Sequence, residues 1–265
     1  MTAPTSLRDG ASEVLSVESR PMNDAEHARL AEVEDRLWHF AALHDLARRG
    51  LQRAGWSGRG RLLDAGCGTG GLLRRLGGWY PTAQLEGVDV SLFAVGIAAQ
   101  RTGRPIRAAS LTALPFADAT FDAITCIDVV YQFEDPRAAY REMARCLRPG
   151  GILVVNEPAH RWLWSYHDEQ VGGRHRFSRG EVIELLSGAG MRAVHSTYWN
   201  CLALPLVWVR RKVLPAPPGS DVRDYPAWIS VPMRTLLALE RGWLSTGLPL
   251  PFGTSVSAVA VKRHP

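Results

Sequence analysis

The spacing of hydrophobic residues changes along the chain, and each change predicts a different kind of element. From Asn23 onward, apolar positions recur at steps of three and four residues, which is typical of one face of an α-helix. Asn23 or Asp24 suits the N-cap, and Glu26 falls in the first turn. We predict one helix that ends near Gly50 or Gly55. Its apolar face is formed by Leu30, Val33, Leu37, Phe40, His44, Ala47 and Leu51.

Beyond this helix, short apolar runs alternate with helical segments. Strands are predicted at 61–64, 84–89, 104–109, 121–127, 152–155 and 255–261. Helices are predicted at 72–76, 92–101, 137–147 and 179–189. This alternation is typical of a parallel sheet that is covered by helices on both faces.

The same pattern divides the chain into three regions. Residues 1–21 show no apolar period, so we expect a flexible leader there. Residues 22–56 are expected to form a helical lid, and residues 57–265 an α/β domain with an insert at about 200–250. Six of the nine tryptophans follow residue 157, and the insert is rich in proline. We expect the insert and the N-terminal helix to cover the open end of the sheet.

A glycine-rich loop follows the first predicted strand. Gly66, Gly68 and Gly71 satisfy the pattern G-x-G-x-x-G between a strand and a helix, and Asp89 ends the second strand, where it can bind ribose hydroxyls. Taken alone, these features indicate NAD binding. Asp64 argues against NAD, because a carboxylate just before the loop repels a pyrophosphate and attracts a cation. S-adenosylmethionine carries an ammonium and a sulfonium and has no phosphate, so it suits this loop better.

Four segments, in order, resemble the motifs of one family. Residues 62–70, Leu-Leu-Asp-Ala-Gly-Cys-Gly-Thr-Gly, look like the first motif of the class I S-adenosylmethionine-dependent methyltransferases. Residues 85–91 resemble the ribose-binding motif, residues 114–116 with 121–122 the approach to the fourth strand, and residues 147–151 the turn into the fifth. The resemblance covers about residues 60–157. It implies a Rossmann-like sheet of seven strands, mostly parallel, with helices on both faces and an antiparallel last strand.

The resemblance also implies S-adenosylmethionine as the cofactor and assigns residues to its site. The chain departs from the family at two positions: Ser110 stands where an aspartate commonly contacts adenine, and the neutral Gln132 stands where a histidine is frequent. Ser110 can still accept or donate a hydrogen bond there, without charge assistance. The expected cofactor-binding residues are Asp64, Gly66, Cys67, Gly68, Gly70, Asp89, Val90, Ser110, Leu111 and Asp128.

Methyl transfer from a sulfonium is an in-line displacement, which depends chiefly on positioning the acceptor. An O–H or N–H acceptor gains from a base, and the loops beyond the carboxyl ends of the strands supply the candidates. We expect Tyr131, Glu157 and His167 to be catalytic. Each has a structural alternative: Tyr131 as a wall of the cofactor pocket, Glu157 as an anchor of the turn at Pro158, and His167 as part of a hydrogen-bonded loop.

Aromatic residues in the two expected lids indicate an apolar or aromatic acceptor, because tryptophan buries a large area and keeps one N–H donor. The same residues can equally serve to pack the lids onto the sheet. His44 is expected to be a core histidine, and residues 174–176, Arg-His-Arg, a solvated loop rather than an anion site. The expected acceptor-binding residues are Trp38, His39, Trp164 and Trp199.

Charge and cysteine content exclude several classes of partner. The formal net charge is +5, but 29 of the 31 basic residues are arginines spread over the whole chain, so we expect no nucleic-acid partner.

The four cysteines form no C-x-x-C pair and no secretory signal precedes them, which favours a reducing, cytoplasmic location without a bound metal. The longest apolar run, 201–209, has nine residues, well short of the roughly 20 that a transmembrane helix needs. The sequence leaves the oligomeric state open.

The leading hypothesis is a methyltransferase of an apolar or aromatic small molecule in specialised metabolism, acting on an O, N or C nucleophile. An alternative is methylation of an isoprenoid or quinone lipid, since residues 201–209 followed by Arg210, Arg211 and Lys212 can rest on a membrane surface. Two further alternatives are an NAD-dependent oxidoreductase and a non-catalytic partner protein with a methyltransferase-like fold.

Overall fold

The computed structural model of the chain describes residues 22–216 and 221–264. The helices are α1 Asp24–Val33, α2 Trp38–Arg53, α3 Gly71–Trp79, α4 Leu92–Thr102, α5 Pro136–Cys146, α6 Tyr166–Gln170, α7 Arg179–Gly188, α8 Leu204–Lys212 and α9 Ala227–Ser245. The strands are β1 Arg61–Ala65, β2 Gln84–Asp89, β3 Ile106–Ala108, β4 Phe121–Ile127, β5 Leu147–Pro158, β6 Met191–Trp199 and β7 Ser255–Lys262.

These strands form one sheet in the order β3-β2-β1-β4-β5-β7-β6. The neighbours from β3 to β5 run parallel, whereas β7 runs antiparallel to both β5 and β6. The predicted fold class is therefore confirmed: a Rossmann-like sheet of seven strands, mostly parallel, with an antiparallel last strand. The order reverses between β1 and β4, which is where ligands bind in open α/β sheets.

Strand β6 is the one strand that the hydrophobic pattern does not locate. Its buried apolar residues are only Met191 at its start and Tyr198 and Trp199 at its end. Of the six residues between them, three are half-buried, two are exposed and one, the polar Thr197, is buried. A strand at the end of the sheet is covered less than a central one, so its sequence lacks the continuous apolar run of β4 or β5.

Alternate residues of each central strand face two different cores. In β1, Leu62 belongs to the core formed with α2 and α3, and Leu63 to the core formed with α5 and α7. In β5, Leu153 belongs to the core formed with α5 and α7, and Val154 belongs to the core formed with α2 and α3. Because successive side chains of a strand point to opposite faces, near-continuous apolar strands require helices on both faces, as observed.

The single helix predicted from Asn23 is wrong, because two helices meet at an irregular segment at 34–37. Asn23 caps α1 as expected, its side chain accepting from the Glu26 N–H at 2.9 Å. At the break, the buried Glu34 carboxylate accepts hydrogen bonds from the Thr69 hydroxyl at 2.7 Å and from the guanidinium of Arg101. This long-range ion pair ties the chain between α1 and α2 to the glycine-rich loop and α4.

The predicted insert contains α8 and α9, referred to below as the insert helices. A third apolar core holds α9 against α2, with Leu237 and Leu244 packing near Leu43 and Trp199. The Glu240 carboxylate is buried and accepts hydrogen bonds from three backbone N–H groups of the loop after β6, among them Cys201 at 2.8 Å. These contacts fix α9 to the end of β6.

Two sequence predictions have no test in the fold. The leader at 1–21 lies outside the described residues, and the division into lid, domain and insert stays a prediction.

Within residues 22–216 and 221–264, no helix combines the length and the apolar character needed to cross a membrane.

Removal of the Glu34 carboxylate tests the link between the N-terminal helices and the glycine-rich loop. We expect Glu34→Ala to lower the free energy of unfolding by about 2 kcal/mol, less than the roughly 3 to 5 kcal/mol of a fully broken buried pair, because Arg101 keeps Asp35. Glu32→Ala on the exposed side of α1 is the control and should change it by less than about 0.5 kcal/mol. Urea denaturation measures both, and equal stabilities would contradict the link.

Candidate functional site

A cavity of about 730 Å³ lies at the carboxyl ends of the central strands, beneath the N-terminal helices α1 and α2 and the insert helices. Its volume falls within the roughly 300 to 1,000 Å³ typical of small-molecule sites. Backbone and carboxyl groups from the strand ends line one part. The apolar wall, which is the part contributed by the helices, consists of Leu37, Trp38, Phe40, Leu43, Leu206, Val207, Val209, Trp228, Ile229 and Met233.

The glycine-rich loop after β1 borders this cavity. Gly66 and Gly68 line it and have positive φ values of 78° and 51°, which side-chain-bearing residues rarely adopt. A Cβ on Gly66 would lie 2.4 Å from the Cγ2 atom of Val129, so the close approach of the two loops also requires glycine. Gly70 does not line the cavity, since it forms the N-cap of α3.

Asp89 ends β2 and orients two loops around its carboxylate. Its Oδ2 atom accepts the Gly68 N–H at 2.8 Å, and its Oδ1 atom accepts the Ser91 N–H at 2.9 Å. A carboxylate offers about four acceptor positions, so capacity remains for two hydroxyl donors from the cavity. The geometry suits the ribose-binding role that the resemblance implies.

Two further carboxyl groups line the cavity, and neither has an ion-pair partner within the described part of the chain. Burial raises the pKa of Asp64 to about 7, although the Thr125 hydroxyl donates to it at 2.7 Å. Burial likewise raises the pKa of Asp128 to about 6, although the Asn156 amide donates to it at 2.6 Å. Asp128 also has a positive φ of 56°, which is uncommon outside glycine and marks a constrained position.

These groups fit S-adenosylmethionine. A buried carboxyl whose pKa is raised by burial and by other carboxylates gains from a cation and is unsuited to a phosphate. The backbone of Gly66 and Gly68 leaves room for a ligand at the strand end, and Asp89 supplies acceptors for hydroxyls. Asp64, Asp89 and Asp128 are therefore the side chains that would hold the ammonium and the ribose.

The remaining predicted cofactor residues divide between the cavity and its surroundings. Cys67, Val90 and Leu111 line the cavity. Ser110 does not, and its hydroxyl lies 2.8 Å from the Thr112 hydroxyl and accepts the Thr112 N–H at 3.2 Å. Ser110 therefore shapes the loop after β3, and its contact with adenine stays a prediction.

Only half of the predicted acceptor residues reach the cavity. Trp38 and His39 on α2 line it, and the Trp38 indole N–H has no partner among the described residues. Trp199 lies behind His39, stacked at a ring distance of 5.2 Å, and its indole donates to the Asn156 side chain at 2.6 Å. Trp164 lies outside the lining as well, and its carbonyl accepts from Lys212 at 2.6 Å.

The predicted catalytic residues have different surroundings. Tyr131 lines the cavity, but burial raises the pKa of its hydroxyl far above neutrality, so it is a donor and not a base. Glu157 lies beneath the cavity, where its carboxyl accepts the N–H groups of Val130 at 3.2 Å and Tyr131 at 3.1 Å. Glu157 therefore holds the turn after β4, rather than the turn at Pro158 that its structural alternative named, and it does not line the cavity.

His167 lines the cavity in a defined protonation state. Its Nδ1 atom accepts the backbone N–H of Asp221 at 3.2 Å. Burial, together with Arg211 and Arg176, lowers its pKa well below the ordinary value, so the ring is neutral and carries its proton on Nε2. In this state the ring can donate a hydrogen bond to the molecule that accepts the methyl group, but it cannot take a proton from that molecule.

Several residues that line the cavity were not predicted from the sequence to do so. His44, expected to be a core histidine with its hydrogen bonds satisfied, lines the cavity, and its Nδ1 atom has no partner among the described residues. Arg176, expected in a solvated loop, is buried and paired with Asp168 at 2.8 Å. Glu34 and Asp221 also line the cavity. Glu34 precedes the break between α1 and α2 and Asp221 follows a proline-rich stretch, so neither belongs to a recognisable motif.

The central part of the chain is similar to a known protein family. Residues 63–155 match a family described as a methyltransferase domain. The ubiquinone/menaquinone biosynthesis C-methyltransferase UbiE of Syntrophotalea carbinolica is 28% identical over 210 residues, which are 64% of this chain and 85% of that protein. A demethylmenaquinone methyltransferase of Roseiflexus sp. is 40% identical over 41% of this chain and 48% of that protein.

The chain thus spans less than half the length of some of the curated relatives that it matches. The O-methyltransferase cnsE of Penicillium expansum is 38% identical over 36% of each chain. Among solved structures, a chain of the Haloferax volcanii complex with the Trm112 methyltransferase activator has a TM-score of 0.62 at 22% identity, covering 91% of this chain and 96% of that chain. Geranyl diphosphate C-methyltransferase from Streptomyces coelicolor has a TM-score of 0.56 at 14% identity, covering 83% and 79%. At these identities the structures support the fold alone.

Two substitutions test the cofactor end of the cavity. We expect Asp89→Ala to weaken S-adenosylhomocysteine binding by about tenfold or more, because the ribose and two loop N–H groups lose their acceptor. Gly68→Val should do the same, because a β-branched residue is strained at a φ of 51°. Titration calorimetry measures both, with Asp118→Ala, an exposed aspartate, as the control. Undiminished binding in either variant would contradict the assignment.

Proposed function

This chain carries the methyltransferase domain of the class I S-adenosylmethionine-dependent enzymes, and from this premise we propose that it methylates an apolar or aromatic small molecule. One observation carries the proposal: the glycine-rich loop and Asp89 border the same cavity as the apolar wall of the N-terminal and insert helices. A methyl donor held at the strand ends thus shares an enclosed space with an apolar acceptor. The methyltransferase domain favours this function over an NAD-dependent oxidoreductase.

S-adenosylmethionine, when bound, would supply a methyl group from its sulfonium, and the bond that breaks would release the neutral thioether S-adenosylhomocysteine. The chain's own contribution is to hold two molecules in line and to exclude water. Asp64 and Asp89 would hold the cofactor's ammonium and ribose, while Tyr131 and the neutral His167 would donate hydrogen bonds toward the methyl acceptor. Trp38 and His39 form the adjoining part of the acceptor wall.

The histidines of the cavity orient the acceptor without acting as strong bases. Burial and Arg211 lower the pKa of His39 to about 4, and burial and Arg75 lower the pKa of His44 to about 3. Both rings are neutral near pH 7, and their protonation is unfavourable there. Asp64 and Asp128, whose pKa values burial raises to about 7 and about 6, are the cavity carboxyl groups closest to neutral pH, and both are assigned to the cofactor rather than to the acceptor. This favours an acceptor that is already nucleophilic, such as an electron-rich ring carbon or a phenolate.

Methylation of an isoprenoid or quinone lipid is a second candidate. The names of the relatives from Syntrophotalea carbinolica and Roseiflexus support it. The insert helices contribute Leu206, Val207, Ile229 and Met233 to the apolar wall, which suits an isoprenoid chain as well as a ring. The same helices also place Arg210 and Arg211 in the cavity lining. The cytoplasmic location expected from the sequence stays a prediction.

Transfer of an isotopically labelled methyl group tests the proposal directly. The full chain is incubated with methyl-labelled S-adenosylmethionine and, separately, with phenols, indoles and reduced prenylquinones. We expect label to appear in the organic extract with at least one of these apolar acceptors. At a subsaturating cofactor concentration, Asp89→Ala should transfer at least about tenfold less label. Label that enters only water-soluble acceptors, or a chain that fails to bind S-adenosylhomocysteine by calorimetry, would contradict the proposal.

The ionisation of Asp64 predicts the pH dependence of cofactor binding. Burial raises the pKa of Asp64 to about 7, so its carboxyl is mostly neutral below that pH and ionised above it. Since the ionised form attracts the ammonium, affinity for S-adenosylhomocysteine should fall as the pH decreases from about 8 to about 6, by up to about tenfold per unit below the pKa. Asp64→Asn should bind weakly and lose this dependence, whereas Asp118→Asn should keep it. A flat profile for the unaltered chain would contradict the role of Asp64.

A further inference from the structure

The insert helix α9 has an apolar face on its outer side as well as its inner side. Its inner face consists of Met233, Leu237, Glu240 and Leu244, which are all buried. The opposite face repeats at steps of three and four residues through Trp228, Val231, Thr235, Leu239 and Trp243. The four apolar residues on that face are 76%, 59%, 62% and 50% exposed, in chain order.

A helix face turned to water is normally polar, and this one contains no charged residue. Helix α8 and the residues after it extend the exposed apolar surface through Leu206, Trp208, Val209, Val213 and Leu214. Large apolar residues that repeat in the exposed positions of one helix and recur on the neighbouring insert helix mark an interaction site rather than the ordinary scatter of exposed leucines. We refer to these exposed residues of α8, α9 and the stretch between them as the outer insert face.

The outer insert face is continuous with the cavity. Leu206, Val209, Leu214 and Trp228 are exposed to solvent and also line the cavity. The rim of the cavity on the side of the insert helices therefore combines these apolar side chains with Arg210 and Arg211, which line the cavity and pair with Asp221. An apolar molecule that leaves a lipid phase at this face would reach the interior along the apolar side chains of the rim.

The charges around the outer insert face are mostly positive. Residues 204–245 contain six basic and three acidic side chains. The acids are engaged: Asp221 lies 3.1 Å from Arg211, Asp224 lies 2.7 Å from Arg36, and Glu240 is buried. By contrast, no ion pair is found for Lys212, Arg223 or Arg234 within the described part of the chain. A second copy of this chain would bring like charges together, whereas an anionic bilayer complements them.

We propose that the outer insert face docks on the surface of an anionic lipid bilayer. Tryptophans at both ends of α9 suit the headgroup level, and the unpaired cations suit anionic lipid. The helix lies in the interface and does not cross the bilayer. On the proposed function, this arrangement delivers an apolar acceptor from the bilayer directly into the cavity.

Co-sedimentation of the full chain with vesicles tests the docking. We expect binding to vesicles of equal parts phosphatidylcholine and phosphatidylglycerol, and binding about tenfold weaker to phosphatidylcholine alone. The double variant Leu239→Gln/Trp243→Gln, which leaves the cavity lining intact, should lower the partition coefficient for anionic vesicles by about tenfold or more. The matched control Leu92→Gln/Trp162→Gln changes two residues that are 77% and 53% exposed outside the outer insert face and should bind as the unaltered chain does.

Three outcomes would overturn the docking: no sedimentation with anionic vesicles, equal binding by the two double variants, or a dimer in lipid-free solution that the Leu239→Gln/Trp243→Gln variant abolishes. Calorimetry with S-adenosylhomocysteine on the same preparations separates this proposal from the function. Intact cofactor binding without vesicle binding contradicts only the docking. Vesicle binding without cofactor binding contradicts only the proposed methyl transfer.

Discussion

The ion pair of Glu34 with Arg101 is the interaction on which the enclosed cavity depends. Glu34 is buried between the two N-terminal helices, where it also accepts the Thr69 hydroxyl, and Asp35 beside it pairs with Arg101 at 2.9 Å. Thr69 belongs to the glycine-rich loop and Arg101 to α4. One polar cluster therefore fixes both the cover of the cavity and the loop that forms its floor. Without it, the helix break at 34–37 would have no long-range partner, and Trp38 and His39 would lose their placement over the strand ends.

The carboxyl groups of the cavity impose a second constraint. Asp64 and Asp128 are buried with pKa values raised to about 7 and about 6, so each loses part of its ionisation in the absence of a neighbouring cation. A ligand with an ammonium and a sulfonium restores the ionised form and gains affinity by doing so. Under the proposed function, the charge pattern at the strand ends would select the donor molecule, and the apolar wall, contributed by helices outside the matched segment, would select the acceptor. The two proposed specificities then lie in separate parts of the chain.

Features that depend on residues close together in the sequence could be predicted, whereas features that depend on contacts between distant residues could not. The glycine-rich loop and Asp89 could be predicted because strand, turn and helix signals lie within a few residues of one another. Met191–Trp199 could not be located as a strand, because a strand near the end of the sheet lacks a continuous apolar run. The break at Glu34 was missed because its cause, Arg101, is 67 residues away. Trp199 was expected in the cavity, but its indole is taken by Asn156, a contact between strands that no local pattern encodes.

A crystal structure of the full chain with S-adenosylhomocysteine would test the central claim most directly, since that claim joins donor and acceptor in one cavity. The account predicts the ribose hydroxyls on the Asp89 carboxylate, the ammonium next to Asp64, and the sulfur facing the apolar wall that includes Trp38 and Met233. A ligand bound outside this cavity, or a sulfur that faces away from the apolar wall, would contradict it.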